Sequence, residues 1–333
     1  MLEKWRKAVI HLECATNSEH IYDKIEKDNE LYDKFKSGEI SSDEFMKEKI
    51  SIWETFRDIR EWGTALFLSH NSKRYLITAG HVVFDKKSAE RELEESFKWA
   101  EEYDEIDEYD ENRIFDIIFR VPSLDETLSE ETEIIHECLM NLKATDSYSF
   151  SSSECDLAII SLDNMYSRFA DELERWHKPI TLEDIGDEPT KEGTDVFTVG
   201  YPGSISKIAT LVMNSAIKNW SSDQVSLPSF AFGKVSMLHK KLRFFWTDMS
   251  VYKGNSGSPV IENETNKLVG IVSGQPVEEA TGITIINEKE SKDTKTKINM
   301  GIPFGQIIKA EYVKELINIQ IKKDKYIEEM LNR

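Results

Sequence analysis

Cysteine is scarce in this sequence, which contains three among its 333 residues: Cys14, Cys138 and Cys155. Their number is odd and none belongs to a Cys-x-x-Cys pair, so they predict neither a disulfide framework nor a zinc site. Residues 1–7 lack the apolar core of a signal peptide, and no run approaches the ~20 apolar residues of a membrane span. We therefore expect a cytoplasmic protein with no metal centre and no membrane partner.

Basic residues are outnumbered: the chain has 42 Lys and Arg against 62 Asp and Glu, a formal net charge of −20 at pH 7. Nucleic acids and anionic membrane surfaces are bound by basic patches, so neither partner is expected. The excess of acid indicates a solvated surface or, as the alternative, a field that steers basic substrates. The sequence also has no glycine-rich loop for phosphate, and no cofactor is expected.

The most informative segment that is present is Gly254-Asn255-Ser256-Gly257-Ser258-Pro259. Glycines on both sides of Ser256, with a proline close behind, predict a tight loop that exposes one hydroxyl. The same loop lets the amides of Gly254 and Ser256 point in one direction, as a donor pair for a developing oxyanion. Because a serine hydroxyl is a weak nucleophile without a base and an orienting acid, a histidine and an aspartate are expected elsewhere in the chain.

Two strand-like segments upstream supply these two residues. Residues 75–83 predict a strand that ends in a small-residue turn and presents His81. Residues 155–162 place Asp156 at the head of a buried strand. We assign Ser256 as the nucleophile, His81 as the general base and then the general acid, and Asp156 as the group that fixes the imidazole tautomer.

The chain order His81, Asp156, Ser256 resembles that of the chymotrypsin-fold serine proteases. Residues 254–260 and 269–271 are similar to bacterial glutamyl endopeptidases. Further segments are similar to strand and turn positions of HtrA-type proteases: residues 196–203, 232–236, 247–257 and 301–303. The resemblance implies a mainly β protein with two six-stranded antiparallel β-barrels, acting as a serine endopeptidase. It covers roughly residues 5–16, 62–84 and 154–310.

The resemblance also implies where a substrate binds. Ser250 takes the floor of the primary specificity pocket, Val251 its side, and Val272 the position at which glutamyl endopeptidases carry a histidine. The edge that pairs with the substrate consists of Ser273, Gly274 and Gln275. These residues favour a small or medium apolar side chain before the scissile bond. Arginine, lysine and glutamate are disfavoured at that position. Asn255 replaces the aspartate that pairs with a freed amino terminus in digestive relatives, so activation by zymogen cleavage is not expected.

The rest of the chain divides around this resemblance. Gly38 predicts the end of one helix, and the Ser-Ser-Asp-Glu segment that starts at residue 41 predicts the N-cap of the next. The expected parts are a first barrel from residues 5–16 and 62–165, an inserted helical hairpin at 17–60, an acidic helical insert at 85–112, a second barrel at 190–308 and a C-terminal helix at 309–333. No peptide-binding domain is expected after the barrel, and His70, His177 and His239 are expected on the surface.

Two functional alternatives remain open at this point. The first is an endopeptidase acting on protein or peptide substrates and controlled by loop ordering or by an activating protein partner that docks on the charged helical inserts, in a bacterial stress or defence system. The second is a non-catalytic binding module that uses a protease-like scaffold.

Overall fold

The structure is a computed structural model of the chain. It describes residues 1–17, 21–53, 57–83, 116–121, 135–139, 149–152, 155–163, 167–210, 224–284, 294–302 and 304–331. None of the helices in these segments is long and apolar enough to cross a membrane.

The described segments contain the following helices and strands, numbered in chain order. The helices are α1 (Leu2–Ala8), α2 (Ile21–Ser37), α3 (Ser42–Trp53), α4 (Gly80–Val83), α5 (Ser167–Trp176), α6 (Gly203–Ser206) and α7 (Ala310–Leu331). The first strands are β1 (Val9–Asn17), β2 (Arg57–His70), β3 (Lys73–Ala79), β4 (Asp116–Val121), β5 (Ile135–Leu139), β6 (Ser149–Ser152) and β7 (Leu157–Ser161). The later strands are β8 (Asp195–Gly200), β9 (Lys207–Thr210), β10 (Gln224–Ser226), β11 (Ser229–Met237), β12 (Phe244–Thr247), β13 (Pro259–Glu262), β14 (Lys267–Gly274), β15 (Val277–Thr284), β16 (Thr294–Gly301) and β17 (Gly305–Lys309).

Strands β1 to β7 form one antiparallel sheet in the order β5-β4-β1-β2-β3-β7-β6. Apolar residues alternate along β1, and this explains why the strand is part of the sheet: Ile10, Leu12 and Cys14 lie on one face and are buried in one core. The described part of this sheet has β5 and β6 as its edges. The sequence predicted a closed first barrel here, and for this half of the molecule that stays a prediction.

Strands β8, β11, β12, β13, β14 and β17 close into an antiparallel barrel in the order β11-β12-β17-β14-β13-β8. The apolar run of β14 serves two cores. Val269 and Val272 face the barrel interior, while Leu268 and Ile271 belong to the core that the barrel shares with the N-terminal sheet and α7. Because both faces of the strand are buried, its sequence is continuously apolar rather than alternating.

Helix α7 lies across both halves. Val313, Leu316 and Ile317 recur at helical spacing and are buried in the shared core. Near its C-terminal end, buried Asp324 accepts hydrogen bonds at Oδ2 from the hydroxyls of Tyr75 and Ser161, each at 3.1 Å. The sequence predicted a C-terminal helix at 309–333, and α7 spans residues 310–331.

Helices α2 and α3 form a hairpin between β1 and β2. The chain turns at Gly38, which has a φ of 79°, a conformation that glycine adopts at little cost. Helix α3 then begins with a capping box, in which the amide of Ser41 donates to Glu44 Oε2 at 2.9 Å and the amide of Glu44 donates to Ser41 Oγ at 3.3 Å. The sequence predicted both signals, but the expected bounds of 17–60 are too wide, because Asn17 ends β1 and residues 57–60 belong to β2, which pairs with β1.

Residues 5–8 were assigned to the first barrel but lie in α1, because Trp5 and Ala8 are buried on one helical face. His177 was expected on the surface but is 5% exposed; it follows Leu173 by four residues and so shares the face of α5 that is packed on the sheet. The predicted acidic insert at 85–112 lies outside the described residues.

Candidate active site

His81 lies in a one-turn helix directly after a buried strand. Residues 75–79 of strand β3 are all buried because its side chains alternate between two hydrophobic cores. Helix α4 follows, and buried Val82 and Val83 anchor it. The side chain of His81 is left 46% exposed, so one part of its ring is held by the protein and the rest is accessible.

Asp156 precedes β7 in a left-handed backbone conformation, with a φ of 48°. Few residues other than glycine adopt this conformation, and aspartate is among those that do. The carbonyl of Asp156 accepts a hydrogen bond from the amide of Gly80 at 2.9 Å, and its Oδ1 accepts the amide of His81 at 2.8 Å. These bonds tie the start of β7 to the turn after β3 and aim the carboxylate at the His81 ring.

One path of hydrogen bonds joins three side chains. His81 Nδ1 lies 2.9 Å from Asp156 Oδ2, and His81 Nε2 lies 2.9 Å from Ser256 Oγ. A carboxylate only accepts, so Nδ1 carries the proton and the neutral ring leaves Nε2 free to accept from the serine hydroxyl. The arrangement can deprotonate Ser256 during an attack on a carbonyl carbon.

Ser273 adds a fourth side chain to this path. Its Oγ donates to Asp156 Oδ2 at 2.5 Å, and its carbonyl oxygen lies 3.4 Å from Ser256 Oγ. The resemblance assigned Ser273 only to the substrate-pairing edge. Its contact with Asp156 was missed because the two residues are 117 positions apart and nothing in the local pattern links them.

The Ser256 loop, residues 252–258, is held by hydrogen bonds on five consecutive carbonyl groups. Two donors lie in the loop itself, two belong to Thr64 on β2, and one is the amide of Gly203 at the start of α6. The pairs are Tyr252 O with Asn255 N (2.9 Å), Lys253 O with Gly203 N (2.8 Å), Gly254 O with Thr64 Oγ1 (3.0 Å), Asn255 O with Ser258 N (2.8 Å) and Ser256 O with Thr64 N (2.8 Å). Each of these peptide planes therefore has a fixed orientation.

The amides of Gly254 and Ser256 are left available by this arrangement. In a trans peptide the N–H points away from the C=O of the preceding residue. Because the carbonyls of Lys253 and Asn255 bond inside the protein, the amides of Gly254 and Ser256 face the other way, and neither donates a hydrogen bond within the part of the chain that is described. The two amides can serve as donors to an oxyanion.

Only glycine fits at two positions of the loop. Gly254 and Gly257 have φ values of 100° and 87°. A Cβ would lie 2.3 Å from the carbonyl oxygen of Tyr201 at the first position and 1.9 Å from that of Thr64 at the second. Backbone conformation and space therefore both exclude a side chain, and the predicted tight loop is confirmed.

Ser250 and Val251 precede the loop, and they differ in exposure: Ser250 is exposed and Val251 is buried. Asp248 comes two residues earlier, and its Oδ1 accepts a hydrogen bond from the amide of Lys234 at 2.5 Å. One oxygen of that carboxylate is therefore held by the backbone of β11.

The remaining predicted substrate residues lie along the end of β14. Val272 is fully buried in the barrel core, which leaves its side chain no surface to offer a substrate. Its backbone holds the loop instead, accepting from Gly257 N at 2.8 Å and donating to Ser258 O at 2.9 Å. Gly274 is partly exposed, and Gln275 Nε2 donates to the carbonyl of Ile302 at 2.8 Å.

Comparison with known families gives one decisive match. The model of the trypsin-like peptidase domain matches residues 63–271, which is well over half of the chain. The chain belongs to this family.

The solved structures that resemble this trypsin-like peptidase are distant. The Rv3671c protease of Mycobacterium tuberculosis in its inactive form is 13% identical, with 78% of this chain and 83% of that chain covered and a TM-score of 0.35. Catalytically active tobacco etch virus protease complexed with product is 11% identical, with 83% and 71% covered and a TM-score of 0.37. Scores this low carry no argument, so membership rests on the family match. None of the curated proteins compared with the chain matches it.

The charges around the His81 ring of this trypsin-like peptidase favour its protonated form. Burial lowers the pKa of His81, but the hydrogen bond and charge of Asp156, helped by the charge of Glu61, outweigh it and raise the pKa above its ordinary value. Burial raises the pKa of Asp156, but its bonds to His81 and Ser273 outweigh that and lower it. The pair is therefore set to stabilise an imidazolium beside a carboxylate.

Sequence reasoning missed two residues that shape the site of this trypsin-like peptidase. Thr64 and Gly203 hold three of the five loop carbonyls, yet Thr64 lies 190 positions from Gly254, and Gly203 opens α6, far upstream of Lys253. The only local signal was that Gly63 and Thr64 resume a buried strand, which indicates a fold element and not a contact.

Proposed function

We propose that this chain is a serine endopeptidase that hydrolyses peptide bonds of proteins through an acyl-enzyme. The observation that carries the proposal is the unbroken path from Asp156 through His81 to Ser256 Oγ, with both ring contacts at 2.9 Å. The two unused amides of Gly254 and Ser256 beside the hydroxyl support it, as does membership of a peptidase family.

The chemistry would proceed in two halves. Ser256 Oγ attacks the scissile carbonyl carbon while His81 Nε2 takes the hydroxyl proton, and the oxyanion is held by the two amides. His81 then gives that proton to the leaving amine as the C–N bond breaks, and an ester on Ser256 remains. Water repeats the sequence, with His81 again as base, and releases the carboxylic acid.

The test is reaction with a fluorophosphonate, which phosphonylates an activated serine. We expect an adduct on Ser256 in the wild-type chain and none in Ser256→Ala. Labelling of the purified chain would identify a constitutive enzyme, while labelling only after addition of cell extract would identify an enzyme gated by a partner. No labelling under either condition would contradict the proposal and support the non-catalytic binding module.

The activity should depend on pH through His81. The base must be neutral to accept the serine proton, and an unperturbed imidazole titrates at about 6.5. Because Asp156 raises the pKa of His81, kcat/KM should rise with pH through an apparent pKa above that ordinary value. A profile that is flat from about pH 5 to 8 would argue against His81 as the base.

The proposed specificity is a small or medium apolar residue before the scissile bond. Ser250 offers no charge, and the carboxylate of Asp248 is tied to the amide of Lys234. Profiling with a mixed peptide library tests this proposal, and a dominant Arg, Lys or Glu at that position would contradict it.

The proposal extends to regulation by an activating protein partner that docks on the helical inserts, in the cytoplasm and in a bacterial stress or defence system. Several apolar side chains of the α2–α3 hairpin support it by their exposure: Ile25 41%, Tyr32 54%, Met46 53% and Ile50 64%. Replacing residues 18–56, between β1 and β2, with a short Gly/Ser loop should leave the fluorophosphonate reaction of a constitutive enzyme intact and weaken cleavage of the natural partner. Unfolding of that variant would instead make the hairpin a structural brace.

The proposal also takes the fold to be of the chymotrypsin type, with two barrels. In it the seven-stranded sheet of β1 to β7 is the counterpart of the first barrel, and the closed barrel from β8 to β17 is the second. His81 and Asp156 come from the first half and Ser256 from the second, so the reaction would take place between them.

A further inference from the structure

Thr64, on β2 of the N-terminal sheet, is hydrogen-bonded to the backbone of the Ser256 loop in the other half of the molecule. It is fully buried on β2 and uses its amide, its hydroxyl and its carbonyl. The amide donates to Ser256 O at 2.8 Å, and the hydroxyl donates to Gly254 O at 3.0 Å. The same hydroxyl accepts the amide of Tyr201 at 3.0 Å, while the carbonyl accepts Thr78 Oγ1 at 2.8 Å.

We propose that the hydroxyl of Thr64 is a positioning group that keeps the Gly254 amide aimed at the oxyanion. The proposal rests on the proposed serine peptidase function and adds a residue to it. Thr64 touches neither the substrate nor the reacting atoms, and it acts through the peptide groups of Gly254.

The physical need arises from the freedom of Gly254. A glycine at a φ of 100° has no side chain to resist rotation of the peptides on either side. One of those peptides is fixed because Lys253 O accepts the amide of Gly203 at 2.8 Å. The other is fixed because Gly254 O accepts the hydroxyl of Thr64 at 3.0 Å. The N–H of Gly254 belongs to the first of these peptides, and the second fixes the other side of the Gly254 Cα, so the two bonds together hold the residue that carries the N–H.

The direction of the Thr64 hydroxyl proton follows from its partners. Tyr201 N–H can only donate to Oγ1, and Gly254 O can only accept, so the single proton of the hydroxyl lies on the bond to Gly254. A β-branched side chain on a strand also has few χ1 rotamers. The hydroxyl therefore occupies one place, between the end of β8 and the Ser256 loop.

Removing this hydroxyl would take away the donor to the buried C=O of Gly254 and an acceptor of the Tyr201 N–H. The Gly254–Asn255 peptide would then rotate toward another donor, and the Cα of Gly254 would be displaced together with its N–H. Because the amide is needed only when the oxyanion forms, the effect should fall on kcat and not on substrate binding.

The experiment compares Thr64→Val with Thr64→Ser on the best-cleaved peptide from the library. Valine keeps the shape and removes the hydroxyl, and we expect kcat to fall by about 10- to 100-fold with KM changed by less than about 3-fold, somewhat below the loss on deleting an oxyanion donor itself. The rate of fluorophosphonate labelling should fall in parallel. Thr64→Ser should recover kcat to within about 3-fold, and the acid limb of the pH profile should stay at the wild-type pKa in both variants.

The matched control is Thr198→Val. Thr198 is also buried, and its hydroxyl donates to the carbonyl of Pro259 at 2.8 Å inside the barrel. Its loss should lower the unfolding temperature without lowering kcat. Assays run well below the unfolding temperatures of all variants, and Thr64→Ala replaces the valine variant if the latter does not fold.

The outcomes separate this inference from the proposed function. If the wild-type chain is active and Ser256→Ala is not, but Thr64→Val keeps the wild-type kcat and labelling rate, the positioning role is wrong and the peptidase stands. A kcat loss in Thr198→Val as large as that in Thr64→Val would also overturn the positioning role, since it would reflect general destabilisation. If the wild-type chain neither cleaves nor labels, the proposed function itself fails.

Discussion

The Ser256 loop and the α2–α3 hairpin both connect strands, yet they are held in opposite ways. The loop is fixed by residues far away in sequence, above all Thr64, which bonds to two of its carbonyls. The hairpin is fixed by local signals, with Gly38 at its turn and the Ser41–Glu44 capping box at the start of α3. The activity that depends on the loop should therefore be sensitive to substitutions in either half of the molecule, while the hairpin should be sensitive only to substitutions within it.

The largest expected effect comes from placing a methyl group at Gly257. Gly257→Ala puts a Cβ 1.9 Å from the carbonyl oxygen of Thr64, so the loop must move and both oxyanion donors move with it. We expect kcat/KM to fall on the order of 10³-fold. Gly38→Ala is the matched control in the hairpin, because Gly38 has a similar φ of 79° and nothing within 4 Å of an added Cβ.

That control should cost about 1 kcal/mol of stability through backbone strain alone and leave kcat unchanged. Peptide hydrolysis and urea unfolding of the two variants measure both quantities. Equal losses of activity would mean that the loop is no more tightly constrained than the hairpin.

An intermediate effect on stability is expected from the titration of His177. Like the Ser256 loop, this residue is held by backbone groups that are distant in sequence. Burial lowers the pKa of His177 to about 4. Its hydrogen bonds to the backbone of Lys7 and Val9 raise the pKa, but burial outweighs them. The folded state therefore keeps the ring neutral while the unfolded state binds a proton below about pH 6.5. Stability from this group is complete above pH 6.5 and is lost as the pH falls toward 4, by up to about 3 kcal/mol.

Urea unfolding of the wild type and of His177→Gln at pH 7.5 and 4.5 tests this prediction. The wild type should lose more stability between the two values than the variant, because glutamine does not titrate. The same pH dependence in both proteins would show that His177 does not control it.

The smallest expected effect is confined to the hairpin. Ser41→Ala removes the hydroxyl that accepts the amide of Glu44 at 3.3 Å, and loss of an N-cap serine costs about 1 kcal/mol. Hydrogen exchange should become faster in α3, and kcat should not change. Ser42→Ala, one position later, is the control and should affect exchange less. A change of kcat in Ser41→Ala would show that the hairpin is coupled to the active site.

The structural features that could be predicted from the sequence are those determined by residues close together in the chain. The Gly254–Pro259 pattern gave the tight loop, because positive φ and close backbone contact both require glycine. The Gly38 turn and the cap at Ser41 followed in the same way. The apolar runs that precede His81 and follow Asp156 gave two buried strands, β3 and β7, which pair side by side.

The parts that could not be predicted depend on contacts between distant residues. Nothing around Thr64 says that its hydroxyl meets Gly254, and nothing around Ser273 says that its hydroxyl meets Asp156. Exposure was misjudged for the same reason. His177 is polar and follows a charged helix, but only the packing of α5 on the sheet shows that it is buried.

The central claim is that Ser256 attacks the substrate with His81 as its base, and one measurement tests it most directly. This is the single-turnover rate of peptide cleavage by Ser256→Ala relative to the wild type, under conditions where both proteins are folded. The account predicts a loss on the order of 10⁶-fold, as expected when one member of a fully assembled triad is removed. Cleavage by Ser256→Ala at a rate close to that of the wild type would contradict it.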